Sequence, residues 1–220
     1  MAASNDHNKL VKQAAKSVLN PVGLFQKAST RMWIDDNGWY LTIVEFQPSM
    51  WSKGSYLNVA LHYLWDVRDY LGIDYGHRVS GFVEYKDDEK FYSDMLAFGE
   101  TAKNKVMEYR KFRDLEYAKK KILHYEQNLS CKREMYHNMM ICGLCEDPQA
   151  KVYFEQLLQL LQNANTQWEQ DYYQELTEKI APIIHNPAQM KNYICQKILQ
   201  QRAFWRTKSG MRKMKEEIVL

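Results

Sequence analysis

The 220-residue chain has no stretch of about 18 apolar residues, so no bilayer-spanning helix is expected. It also has no apolar run after its N-terminus. The segment MAASNDHNKLVKQAAKSVL is polar and reads as an amphipathic helix, which argues against a secretory leader. Only four cysteines are present, Cys131, Cys142, Cys145 and Cys195, and in a chain of this length they make no disulfide framework. Free thiols suit a reducing compartment, so the expectation is a cytoplasmic protein.

Common catalytic signatures are missing too. No Gly-rich phosphate loop, Gly-x-Ser-x-Gly elbow, His-Glu-x-x-His pair or Asp-rich calcium loop occurs, which lowers support for the enzyme classes they mark. The lone Cys-x-x-Cys, Cys142 to Cys145, would hold zinc if Cys131 and Cys195 completed four ligands. It lies inside an apolar helical pattern without the Gly/Pro-rich knuckle of a zinc ribbon, so buried thiols are the plainer reading. No metal or cofactor is expected. The formal charge of +3 is too small to imply nucleic acid by itself.

What is present is an ordinary globular composition, 45% hydrophobic and 26% charged, enough for a sizeable core. Leu10, Val11, Ala14, Ala15, Val18 and Leu19 recur at helical spacing before Pro21. Two β-rich runs then flank Asp36-Asn37-Gly38, and Asn-Gly predicts a hairpin through a type I′ turn. Further strands are expected in SYLNVALHYLW and in RVSGFVEY, residues 78–85. From Asp87 the period becomes helical after an acidic first turn and stays so.

The expected fold is α+β: an N-terminal helix on an antiparallel sheet of about four strands, then an all-α helical-hairpin region. The corresponding boundaries are 1–86 for the sheet domain, 87–204 for the helical domain and 205–220 for a basic tail. Within the helical half, RDLEYAKKKILHYEQ and CEDPQAKVYFEQLLQ align with Ala118 on Ala150 and Ile122 on Phe154, and HNPAQMKNYICQKILQ is a looser copy with Ala188 in the small-residue place. This spacing resembles tetratricopeptide-type repeats. The first-helix signature is mostly missing, so the likeness is to helical-hairpin solenoids in general.

Strand alternation sorts the polar residues of EFQPSMWSKGSYLNVALHYLW. Asn58 and His62 share the less apolar face of their strand, and Glu45 and Glu84 are candidates for neighbouring strands there. A His beside a carboxylate is a general-base arrangement, which makes Glu45, His62 and Glu84 the candidate catalytic set, with Asn58 beside them. Ordinary cross-strand hydrogen bonding explains the same residues without catalysis.

The helix, Phe25-Gln26-Lys27, a strand, the run VEFQPSMWSKGSYLNVALHYLW and a second apolar strand resemble a bacterial family of small α+β domains of unknown function. The matching positions are Gln47, Ser49, Trp51 and Asn58, within residues 8–85. The resemblance implies the fold of the first half and marks these four as candidates for ligand or partner binding. It implies no chemistry.

The tail gathers Arg202, Arg206, Arg212 and Lys213 around Trp205, a pattern that clamps phosphates and stacks bases in nucleic-acid-associated factors. Glu216 and Glu217 partly neutralise it. The leading expectation is a non-enzymatic protein whose stacked helical hairpins bind a protein or peptide partner, with the polar sheet face or the loop around Trp51 as a second site. An enzyme or small-ligand binder on the sheet face is the first alternative, and a nucleic-acid-associated factor the second.

Overall fold

A computed structural model gives the fold and describes residues 6–125 and 131–216. The start of the expected first helix (1–5), residues 126–130 and the end of the tail (217–220, with Glu217) lie outside the described residues. The chain divides into two compact units. One comprises the residues up to Leu64, Arg68–Lys111 and the residues from Gln201 on; the other comprises Trp65–Val67 and Phe112–Gln200.

The first unit is α+β. Helix α1 (Asp6–Leu19) precedes strands β1 (Phe25–Gln26), β2 (Met32–Asp36), β3 (Tyr40–Gln47), β4 (Gly54–Tyr63) and β5 (Tyr75–Glu84), and helix α2 (Asp88–Tyr109) follows. The strands form an antiparallel meander in sequence order. The sheet therefore has five strands rather than four. The additional strand is two residues long, with Phe25 opposite Ile34 and Gln26 opposite Trp33, and two residues cannot display alternation.

The expected hairpin joins β2 to β3. Positive φ falls on Gly38 alone, at 89°, and Asn37 N–H donates to Tyr40 O at 3.1 Å. A single left-handed glycine at the first central position is the requirement of a type II′ turn, not of type I′. Helix α2 starts as its sequence dictates: Asp87 caps it by accepting from Lys90 N–H at 2.9 Å, with Asp88 and Glu89 in the first turn. Gly99 of α2 faces α1, where a Cβ would come within 3.1 Å of Val18, so the glycine permits close helix packing.

One sheet face carries Tyr40, Val44, Phe46, Leu57, Val59, Leu61 and Tyr63, all buried. It meets α2: Phe46 lies 6.4 Å from Phe98, and Tyr40 O–H donates to Tyr109 O at 2.7 Å. On this side Arg110 grips Asp35 with Nε and Nη2 at 2.9 and 2.8 Å.

The second unit is helical. It contains α3 (Leu115–Leu123), α4 (Lys132–Leu144), α5 (Gln149–Leu160), α6 (Gln167–Glu175), a π-turn at Leu176–Ile180, and the part of α7 (Pro187–Thr207) up to Gln200. Ala118, Ile122, Ala150 and Phe154 are all buried, while Ala188 is exposed. Helix α4 is buried along most of its length, and a Cβ at Gly143 would clash with Ile194 and Met190 at 2.8 and 2.9 Å. Among the described residues no helix is long and apolar enough to cross a membrane.

Candidate functional site

The sheet's second face has two ends. Directly opposed pairs along it are Leu41 with His62, Ile43 with Ala60, Glu45 with Asn58, and Gln47 with Tyr56. At the end near the Gly38 turn the face is covered by the chain's last segment. Trp205 packs edge-on to His62 at 6.1 Å, and Gln201 Nε2 donates to Arg68 O at 2.5 Å. Arg202 is buried and holds both oxygens of Asp36, at 2.7 and 2.8 Å, together with Gly38 O at 2.7 Å and Lys215 O at 2.5 Å. Met211 and Met214 are buried in the same unit.

His62 is fully buried at this covered end. Its Nδ1 is 2.8 Å from Arg68 Nη2 and accepts from Gly72 N–H at 3.3 Å, while Asp74 Oδ2 is 3.5 Å away. Asp74 also accepts from Arg68 and from Tyr63 N–H, the latter at 2.8 Å. Two donors aimed at Nδ1 make it an acceptor, which places the proton of a neutral imidazole on Nε2. The carboxylate beside His62 is therefore Asp74, from the β4–β5 connection, and not Glu45 or Glu84. Glu45 lies on the same face but two residue pairs along the ladder, about 13 Å at the usual strand rise. Glu84 is exposed, opposite Gly54.

The other end of the face is open. Asn58 Nδ2 donates to Glu45 Oε2 at 3.0 Å and to Gln47 Oε1 at 2.9 Å. Arg78, opposite Asn58 on β5, donates from Nη2 to Gln47 Oε1 at 3.0 Å and from Nε to Asn58 Oδ1 at 3.4 Å. Its guanidinium stacks over Tyr56 at 4.0 Å, and Tyr56 in turn lies 5.0 Å from Phe82. These contacts fix an exposed arginine on a polar shelf. Strand alternation put Glu45 and Asn58 together, and Gln47 was singled out beside Asn58 only by the family resemblance. Arg78 was not singled out, because its place depends on a register that shifts twice between β4 and β5.

The β3–β4 loop leaves this end. Ser49 Oγ accepts from Trp51 N–H at 3.1 Å and Ser52 N–H at 3.4 Å, a side-chain turn that fixes the loop backbone. Tyr85 N–H donates to Lys53 O at 2.9 Å, and Arg31 Nη1 to Gly54 O at 3.0 Å, closing the base of the loop. A Cβ at Gly54 would fall 2.3 Å from Val83 O, so only glycine fits where the loop re-enters the sheet. At the tip Met50 and Trp51 are each 90% exposed. His7 lies near the base, its pKa lowered from 6.5 first by burial and then by the charges of Arg31 and Lys53.

The candidate residues of the tail separate by burial. Arg202 and Trp205 belong to the core described above, whereas Arg206 is half-buried and Arg212 and Lys213 are exposed. In the second unit burial pushes the thiol of Cys142 up to about 12 and that of Cys145 up to about 11. Burial thus keeps both free thiols protonated near neutrality, unlike a reactive thiolate.

No protein-family model, curated protein or solved structure matches the chain.

Proposed function

We propose that this is a non-enzymatic binding protein that engages a protein or peptide partner through the Met50–Trp51 tip and the adjoining shelf of Gln47, Asn58 and Arg78. The observation that carries the reading is the pair of large apolar side chains, each 90% exposed, on a loop whose backbone is already fixed by Ser49. Exposed Trp and Met cost hydrophobic free energy that a partner recovers, and a preset loop gives up little conformational entropy on binding. Trp and Arg are also the residue types that dominate binding hot spots. The helical unit offers weaker anchors: Val152, Trp168, Tyr173 and Leu199 are between 38% and 50% exposed.

The enzymatic reading has less support. His62 and Asp74 have fully buried side chains and Arg68 is nearly so, so substrate has no direct access to the imidazole. The arrangement is explained by hydrogen bonding within the fold.

The test is affinity capture from a host lysate with the full chain and with Trp51→Ala, followed by calorimetry with the purified partner. The expected outcome is one stoichiometric partner, weakened on the order of 30-fold by the substitution, the scale of a hot-spot residue. A partner retained equally by both proteins would move the working surface elsewhere.

A further inference from the structure

The end of α7 and the segment after it enclose a feature that the Trp51 surface does not use. Ala203, Arg206, Thr207 and Arg212 line an open cavity of about 440 Å³. We propose that this cavity binds the phosphate group of a small phosphate monoester, with Arg206 and Arg212 as its two cationic walls.

Three observations support this. First, the cavity holds two guanidinium groups, whose planar forks match the oxygens of a tetrahedral dianion better than two ammonium groups would. Arg206 Nε is buried without a hydrogen-bond partner among the described residues, a donor still to be satisfied. Second, the backbone carrying these residues is pinned. Met211 is fully buried between Gly210 and Arg212, and Gly210, at φ 78°, lies so close to Ala28 that a Cβ would fall 1.9 Å from its nitrogen. Third, one wall of the cavity already holds an anion: Arg206 Nη2 donates to Glu216, whose side chain is 78% exposed and which is not itself part of the lining. A carboxylate held by an arginine at the solvent edge marks where an external anion would enter.

The helix C-terminus works against an anion with roughly half a unit of negative charge. Arg212, together with Arg206 once Glu216 is displaced, outweighs it, and Thr207 Oγ1 and Lys208 N–H already occupy the carbonyls of Phe204 and Trp205, at 2.7 and 2.8 Å. A nucleic-acid strand fits less well than a monoester. Binding single strands relies on exposed aromatic platforms, but Trp205 is buried and the ring of Phe204 is covered by Lys208 at 4.2 Å.

The experiment is an NMR titration of the full chain with inorganic phosphate at constant ionic strength, following the arginine Nε–Hε resonances, with chloride as control. A short single-stranded oligonucleotide forms a second arm. The expected result is a saturable shift at Arg206, weakened about tenfold or more by Arg206→Gln or Arg212→Gln. Glu216→Gln is expected to tighten phosphate binding, because it removes the competing carboxylate. If Arg206→Gln fails to fold, the exposed Glu216→Gln variant still decides. A shift that chloride reproduces, or phosphate affinity unchanged or weakened by Glu216→Gln, would overturn the proposal. Oligonucleotide binding tighter than phosphate and lost in the same variants would replace the monoester with a strand, and the proposal as stated would fail.

Discussion

At the Gly38 end of the sheet's second face, polar side chains are buried and tied to one another; at the Gly54 end they are laid out on a shelf beside an exposed tryptophan. His62 and Asn58 lie four residues apart on the same strand and the same face, yet one is enclosed by Arg68, Asp74 and Trp205 and the other, also buried, bridges half-buried Glu45 and Gln47 to the exposed Arg78. The residue types alone do not distinguish the two ends. What differs is cover, since the last segment of the chain seals one end with Gln201, Arg202 and Trp205. Polar groups at the sealed end serve stability, because a buried donor or acceptor left unpaired is costly. At the open end Gln47 and Arg78 keep solvent-facing surface that a partner can meet.

The largest expected effect lies in the sealing ion pair. Asp36→Ala strands the buried Arg202 guanidinium and should destabilise the fold by about 3–5 kcal/mol, measured by denaturant unfolding followed by tryptophan fluorescence. Replacing both partners with apolar residues, Asp36→Leu with Arg202→Met, should cost far less, since no charge is then left without its counterion. A loss under about 1 kcal/mol for Asp36→Ala would mean the end is not sealed.

Next in size is Asp74→Ala, which removes the acceptor shared by Arg68 and Tyr63 N–H and should cost about 2–4 kcal/mol. Its counterpart at the open end, Glu45→Gln, keeps an oxygen to accept from Asn58 and should cost under about 1 kcal/mol. Equal costs for the two would erase the distinction between the ends.

A smaller effect should appear in the pH dependence at the base of the open end. Burial first, then Arg31 and Lys53, lower the pKa of His7 from 6.5. The unfolded chain therefore takes up this proton at a higher pH than the folded one, and stability present above about pH 6.5 is lost as pH falls through the folded value. An NMR titration of the His7 ring should give a midpoint below the free value, and Lys53→Gln should raise it by less than exposing the ring does.

Much of this was legible in the sequence where the signal is local. The alternation within EFQPSMWSKGSYLNVALHYLW sorted the polar face, Asn37-Gly38 placed the hairpin, and the acidic turn from Asp87 placed the start of α2. Glu45 and Asn58 were brought together because alternation puts them on one face and opposed strands fix cross-strand neighbours. Long-range features were not legible. Arg78 reaches the shelf through a shifted register, and Asp74 reaches His62 from a connection with no periodicity. In the tail, composition reads as a solvated basic segment, but Arg202 finds Asp36 across 166 positions and becomes core. A charge cluster announces its sign, not whether a distant carboxylate is waiting for it.

The smallest expected change in stability is the one that bears most directly on function. Trp51→Ala should leave the unfolding free energy within about 0.5 kcal/mol, because a side chain 90% exposed has little packing to lose. It should also shift the average tryptophan emission to shorter wavelength, since Trp33, Trp39, Trp65 and Trp205 are buried and Trp168 is only 38% exposed. Destabilisation above about 1 kcal/mol would show that Trp51 packs against the fold, and the open end would then resemble the sealed one. A stable Trp51→Ala protein with blue-shifted emission would instead leave binding as the property for this residue to explain, because the fold gains nothing from holding it in water.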